Sequence, residues 1–192
     1  MQSSVNSFDH VLVEGNSAAA NADPLVYDMM AAFYTACSSF IAQNFGARKK
    51  KRILQTYLIC LFYSFITSLL LGVGIYLARY PFLYLFTSDK AVVEAGITRL
   101  SIMALSYSAS AFMDASIAAS RGLGKTAVPT FVVVMGSCVF RIIWIYTIFA
   151  YFHTIQSLYI LYVFSWGITA IAENIYFFHV YRHTLTEKKE LC

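Results

Sequence analysis

Four charged side chains stand inside long apolar stretches of this sequence: Asp28, Asp114, Arg141 and Glu173. A charge near the centre of a bilayer costs about 2.5–3.5 kcal/mol on insertion scales, so such residues persist when paired or when they line a wet cavity. Asp114 is the most informative of them. Ser106, Ser110 and Asp114 recur every fourth position and share one helix face. A polar stripe ending in a carboxylate suits a proton or cation site, and suits equally a structural partner for Arg141 or for a backbone group. Asn21, Asp28 and Thr35 form a second face at seven-residue spacing. It either lines a cavity or packs against another helix. Arg141 reads as an ion-pair partner that orders the bundle. Glu173 lies towards the end of its run, within reach of the membrane surface.

Other arrangements fall short of chemistry. Gly124-Lys125-Thr126 looks like the end of a phosphate-binding loop, but Ala119 stands where the leading glycine is needed, and no strand precedes it. His179 and His183 are four apart with no third ligand near in sequence. No nucleophile has a base partner at a recognisable spacing, no paired intramembrane aspartates occur, and an enzyme is not expected. Cys37, Cys60, Cys138 and Cys192 show no metal-binding spacing and read as reduced thiols, three of them inside apolar runs. Neither a bound cofactor nor a resident metal is expected.

The elements that must position these residues are membrane helices. The 192 residues are 59% hydrophobic and only 12% charged, about half the charge of an average soluble domain. A spanning helix needs about 20 largely apolar residues. Runs at 53–78, 92–120, 127–152 and 156–182 meet that length, and a weaker one at 17–45 holds Asn21, Asp23 and Asp28. Asp23-Pro24 reads as an N-cap followed by proline at the first helical position. The segment after Pro81, rich in Phe and Tyr, is too short to span and reads as an interfacial turn. The fold class is therefore all-α: a polytopic transmembrane bundle of about five spanning helices over residues 1–183, with 184–192 as a tail.

Charge sets the orientation. Arg48 to Arg52 are all basic, Arg121 and Lys125 flank the next loop on that side, and Arg182, Lys188 and Lys189 follow the last run. The opposite side has only Arg79 and Lys90. The positive-inside rule places the basic side, and the C-terminus, in the cytoplasm of a bacterial-type plasma (inner) membrane. The net charge of +4 is spread through short loops between apolar runs, which argues against nucleic acid as a partner.

Two segments resemble one family. Phe40-Ile41-Ala42-Gln43-Asn44-Phe45-Gly46-Ala47, followed by the basic run, is similar to a loop of multidrug and toxic compound extrusion (MATE) transporters, and so is Arg121-Gly122-Leu123-Gly124-Lys125-Thr126-Ala127-Val128-Pro129. The resemblance extends over nearly the whole chain. It implies one lobe, the C-terminal one, of a two-lobed fold of twelve helices, with residues 2–8 as the end of a sixth helix. Gln43, Gly46, Arg121, Gly122 and Gly124 would be structural loop residues. Asp114 lies on the helix where some members carry a functional acid. The implied activity is secondary-active export of cationic or xenobiotic compounds in exchange for Na⁺ or H⁺, with Asp114, Asp28 and Arg141 near the cation and substrate path. A lone lobe would be incompetent without its first lobe. Implied partners are the lipid bilayer, a small organic cation, and either a missing N-terminal lobe or a second copy in a homodimer. A lipid-linked precursor flippase of the same superfamily and a non-transporting membrane interaction protein remain the alternatives.

Overall fold

The computed structural model describes residues 9–183, with the side chain of Leu105 left aside. The expected sixth-helix stump at residues 2–8 and the tail from 184 lie outside the described residues.

Pro24 shapes the start of the bundle. It has no amide hydrogen to continue a helical ladder and its ring crowds the preceding turn. The chain accordingly breaks at Asn21, between α1 (His10–Ala20) and α2 (Ala22–Gly46). Asp23 is thus no N-cap; it sits inside α2, and Asn21 occupies the junction without a side-chain cap. A short turn leads to α3 (Lys50–Leu77), and the segment around Pro81 forms a single short helix, α4 (Arg79–Tyr84). There Arg79 lies over the rings of Tyr76 and Tyr80 and donates to the Tyr76 carbonyl at 2.8 Å, holding its charge at the helix end.

Asp89 caps α5 (Lys90–Gly122) by accepting from the Ala91 amide at 2.8 Å. Helix α6 (Ala127–Phe152) contains two π-helical stretches, Val134–Val139 and Ile145–Phe149, and α7 (Ile155–His183) closes the bundle. Among the described residues, four spans are long and apolar enough to cross a membrane: the α1–α2 unit, α3, α6 and α7. The two halves of α5, which meet at 43°, make a fifth when taken together. This agrees with the count of about five, and the chain is a multi-pass membrane protein.

Helix α5 is the centre of the bundle, touched by α1, α2, α3 and α7, while α6 leans mainly on α7. Its sequence explains the position. Ala111, Ala115, Ser116, Ala119 and Ser120 are all fully buried, and small residues let neighbouring backbones approach where no hydrophobic drive separates helices from lipid. Its bend also has a local cause. The Ser106 hydroxyl bonds back to the Ile102 carbonyl at 2.6 Å across the break, a contact that bends helices.

Gly72 of α3 packs directly on the backbone of this bend, where a Cβ would lie 2.1 Å from the Ala104 carbonyl oxygen. Gly72→Val should therefore lower thermal stability in detergent by about 1–3 kcal/mol, the usual cost of overpacking. Gly74, which has open space around it, should tolerate the same change and serves as the control.

Candidate functional site

Basic side chains gather at one end of the bundle. The loop after α2 turns at Arg48, whose φ is 56°, and not at Gly46, where nothing lies within 4 Å of an added Cβ. The expected role of Gly46 as the turn residue thus passes to Arg48. Gln43 is exposed and contributes its carbonyl to the Ala47 amide at the end of α2. Gly122 serves helix contact and not a turn, because a Cβ there would lie 2.7 Å from the Ser38 carbonyl oxygen of α2. Gly124, with φ of 77°, makes the turn into α6. The end is closed by Lys50, whose ammonium lies over the Tyr181 ring and donates to the Arg182 carbonyl at 3.2 Å.

Just inside this end, α2 and α5 diverge around a cleft of about 480 Å³. Tyr34, Thr35, Ser38 and Ser39 line it from α2, and Asp114 and Arg121 from α5. The Asp114 carboxylate is half-buried and feels the Arg121 guanidinium one end of the cleft away. The buried Tyr34 hydroxyl interacts with the Asp114 carboxylate across the cleft. The arrangement offers a carboxylate, several hydroxyl oxygens and a phenol in a single recess, which suits a cation or a protonated amine.

The structure distributes the predicted site residues unevenly. Asp114 and Arg121 share the cleft, and Thr35 joins them there. Asp28 stays on the same exposed face of α2 as Thr35 but lies outside the cleft lining, and Asn21 sits at the break before α2. Arg141 corrects its expected role as an ion-pair partner. It pairs with no carboxylate among the described residues; its Nε donates to the Ser165 hydroxyl at 3.2 Å and its guanidinium lies 4.4 Å from the Tyr162 ring centroid. Ser165 in turn donates to the Gly136 carbonyl at 2.8 Å, inside the first π-helical stretch of α6. Such stretches free carbonyls for outside donors. The Ser106–Ser110–Asp114 stripe faces inward, but both serines bond to carbonyls of their own helix, at Ile102 and Tyr107.

Sequence reading missed a half-buried ion pair between α5 and the start of α2. Arg99 of α5 donates from Nη2 to Asp23 at 2.5 Å and from Nη1 to the Asn16 carbonyl at 2.9 Å. The Tyr107 hydroxyl donates to the other Asp23 oxygen. These three bonds tie both sides of the α1–α2 break to α5. From Tyr107 an aromatic cluster continues through Tyr27 and Trp166 to Tyr162 under Arg141. Glu173, expected near the membrane surface, is fully buried. Cys37 and Cys60 are buried free thiols, whereas Cys138 faces outward and is no core thiol.

The chain is similar in fold to the Vibrio cholerae MATE transporter VcmN, solved in the bent form, with a TM-score of 0.83 at 19% sequence identity. The match covers 94% of this chain and 41% of that one, so the chain spans about two fifths of that transporter's length. No curated protein matches the chain. The family model described as MatE matches residues 1–147, and with the helix bundle and its loops the chain belongs to the MatE family.

Proposed function

We propose that this bundle acts as one lobe of a cation-coupled exporter of organic cations, with the α2–α5 cleft as its ion and substrate station. The observation that carries the reading is the cleft itself: Asp114 opposes hydroxyl-bearing residues of α2 at membrane depth, where an ionisable group is costly unless it serves a path. Alternating access requires a second body to rock against, so a first lobe or a second copy of this bundle would complete the cavity. Large apolar side chains on the outer faces of α2 and α3, such as Leu25, Met29, Phe62 and Leu70, are more than half exposed and suit lipid or that second body. The basic end faces the cytoplasm of a plasma (inner) membrane on this reading, and the coupling ion is Na⁺ or H⁺.

A lipid-linked precursor flippase would call for a strongly basic cavity. The cleft instead balances one carboxylate against one guanidinium, which favours small cations. Transport assays in proteoliposomes holding both lobes separate the two. Uptake of a fluorescent organic cation driven by a Na⁺ or pH gradient supports export. Movement of a lipid-linked sugar without cation transport would overturn the reading.

A further inference from the structure

Beyond the ring contact of Tyr57 with Phe177, a groove of about 580 Å³ lies between α3, α5 and α7. Phe65 of α3, Phe112 of α5, and Gly167, Ile171 and Ile175 of α7 line it, and no ionisable side chain does. Asn174, also in the lining, has its amide engaged already. Its Nδ2 donates to the Ala170 carbonyl at 2.8 Å and to the Phe112 carbonyl at 3.4 Å, and its Oδ1 accepts from the Tyr57 hydroxyl at 2.6 Å. The groove therefore offers hydrocarbon contact and no charge, unlike the α2–α5 cleft. Gly167 keeps it open. Nothing lies within 4 Å of a Cβ added there, so no neighbouring helix requires a glycine at this position, although glycine weakens a helix interior.

Both walls of the groove lead to the basic end. On α7, Ile171, Ile175, Phe178 and Arg182 follow at spacings of four, three and four, so they share one helix face, and all are exposed. On α3, Lys51, Leu58 and Phe65 share a face at seven-residue spacing, with Lys51 and Leu58 exposed. Counted at the helical rise per residue, the groove from Ile175 to Gly167 lies about 9–21 Å below Tyr181. That is the depth of one leaflet of a hydrocarbon core about 30 Å thick, with a little beyond. Above it, the Lys50 ammonium lies over the Tyr181 ring and donates to the Arg182 carbonyl at 3.2 Å, which fixes one cation at the head of the strip. Lys50 and Lys51 also open α3 without a side-chain cap, where the helix dipole opposes cations. No exposed carboxylate stands within two turns of this end among the described residues. An anionic partner offsets both. We propose that one anionic glycerophospholipid, from the leaflet at the basic end, binds here with its phosphate on Lys50 and Lys51 and one acyl chain in the α3–α5–α7 groove. A zwitterionic lipid would fill the groove without the gain at the lysines. This inference stands apart from the exporter reading.

Native mass spectrometry of the full chain released from detergent micelles, titrated with dioleoyl phosphatidylglycerol and in parallel with dioleoyl phosphatidylcholine, counts bound lipids. The expected result is a single phosphatidylglycerol adduct, tighter than the phosphatidylcholine adduct by roughly 10- to 30-fold for two lysines near an anionic headgroup. Lys50→Gln/Lys51→Gln should abolish that preference, and Lys125→Gln, on the loop before α6, should keep it. Gly167→Phe, which extends into open space, should weaken the adducts of both lipids. Equal affinity of the parent for the two lipids overturns the proposal, as does a preference that survives Lys50→Gln/Lys51→Gln or an adduct indifferent to Gly167→Phe. Displacement of the lipid by an equal concentration of glycerol 3-phosphate would assign the site to free phosphates and overturn it too, as would a dimer of the chain in place of the adduct. Should Gly167→Phe fail to fold, Gly167→Val makes the same test with a smaller side chain, and the lysine variant is independent of either.

Discussion

Asp114→Asn is expected to weaken binding of an organic cation about 10- to 100-fold, because a hydrogen bond or contact to a charged partner contributes about 1.5–3 kcal/mol. The substitution keeps the size of the side chain and its place among Tyr34, Thr35 and Ser38 in the cleft. Its effect therefore reports charge and not packing. Asp28→Asn should have a smaller effect, since Asp28 lies outside that lining. Fluorescence titration of a cationic dye against the protein in detergent measures both. Equal affinities for parent and Asp114→Asn would remove the carboxylate from the site.

Arg99→Met is expected to be strongly destabilising in the half of the bundle away from the basic end. It leaves Asp23 with only the Tyr107 hydroxyl as a partner and frees the Asn16 carbonyl. Breaking this half-buried pair should cost about 1.5–3 kcal/mol, the contribution of a hydrogen bond to a charged group; for a chain of this length that lowers the melting temperature by on the order of 5 °C. The double variant Asp23→Asn/Arg99→Met should recover much of the loss, because no uncompensated charge remains. Thermal unfolding in detergent checks both. A double variant no more stable than Arg99→Met would show that the pair acts through packing and not through charge.

The difference between what could and could not be read from the sequence follows from the reach of each interaction. Span number and the gathering of basic residues at one end were legible because hydropathy and loop charge are properties of contiguous segments. Gly124 stands at a turn, with φ of 77°, and a turn is a local feature. Gly46 and Gly122 sit in the same loop motifs, yet one is open and the other is a contact between helices, a distinction set by a partner far away in sequence. Arg99 lies near the start of its run, where a charge lies close to the membrane surface, and Pro24 after Asp23 gives that carboxylate the look of a cap. The spacing of Arg99 against the Asn21–Pro24 break carried the only signal, and it is a weak one. A cation inside an apolar run usually has a carboxylate partner, and Arg141 has none among the described residues. Here the π-helical stretch of α6 and the Tyr162 ring meet that need, and neither leaves a trace in residue spacing. The burial of Glu173 likewise depends on how α5 and α7 pack.

Whether Asp114 couples ion movement to export is decided by gradient-driven transport in proteoliposomes containing the transporter with both lobes. An imposed Na⁺ or proton gradient should drive uptake of a fluorescent organic cation by the parent protein, and Asp114→Asn should abolish the response to the gradient while the protein still inserts and folds. Gradient-driven uptake by Asp114→Asn at the parent's rate would contradict that coupling.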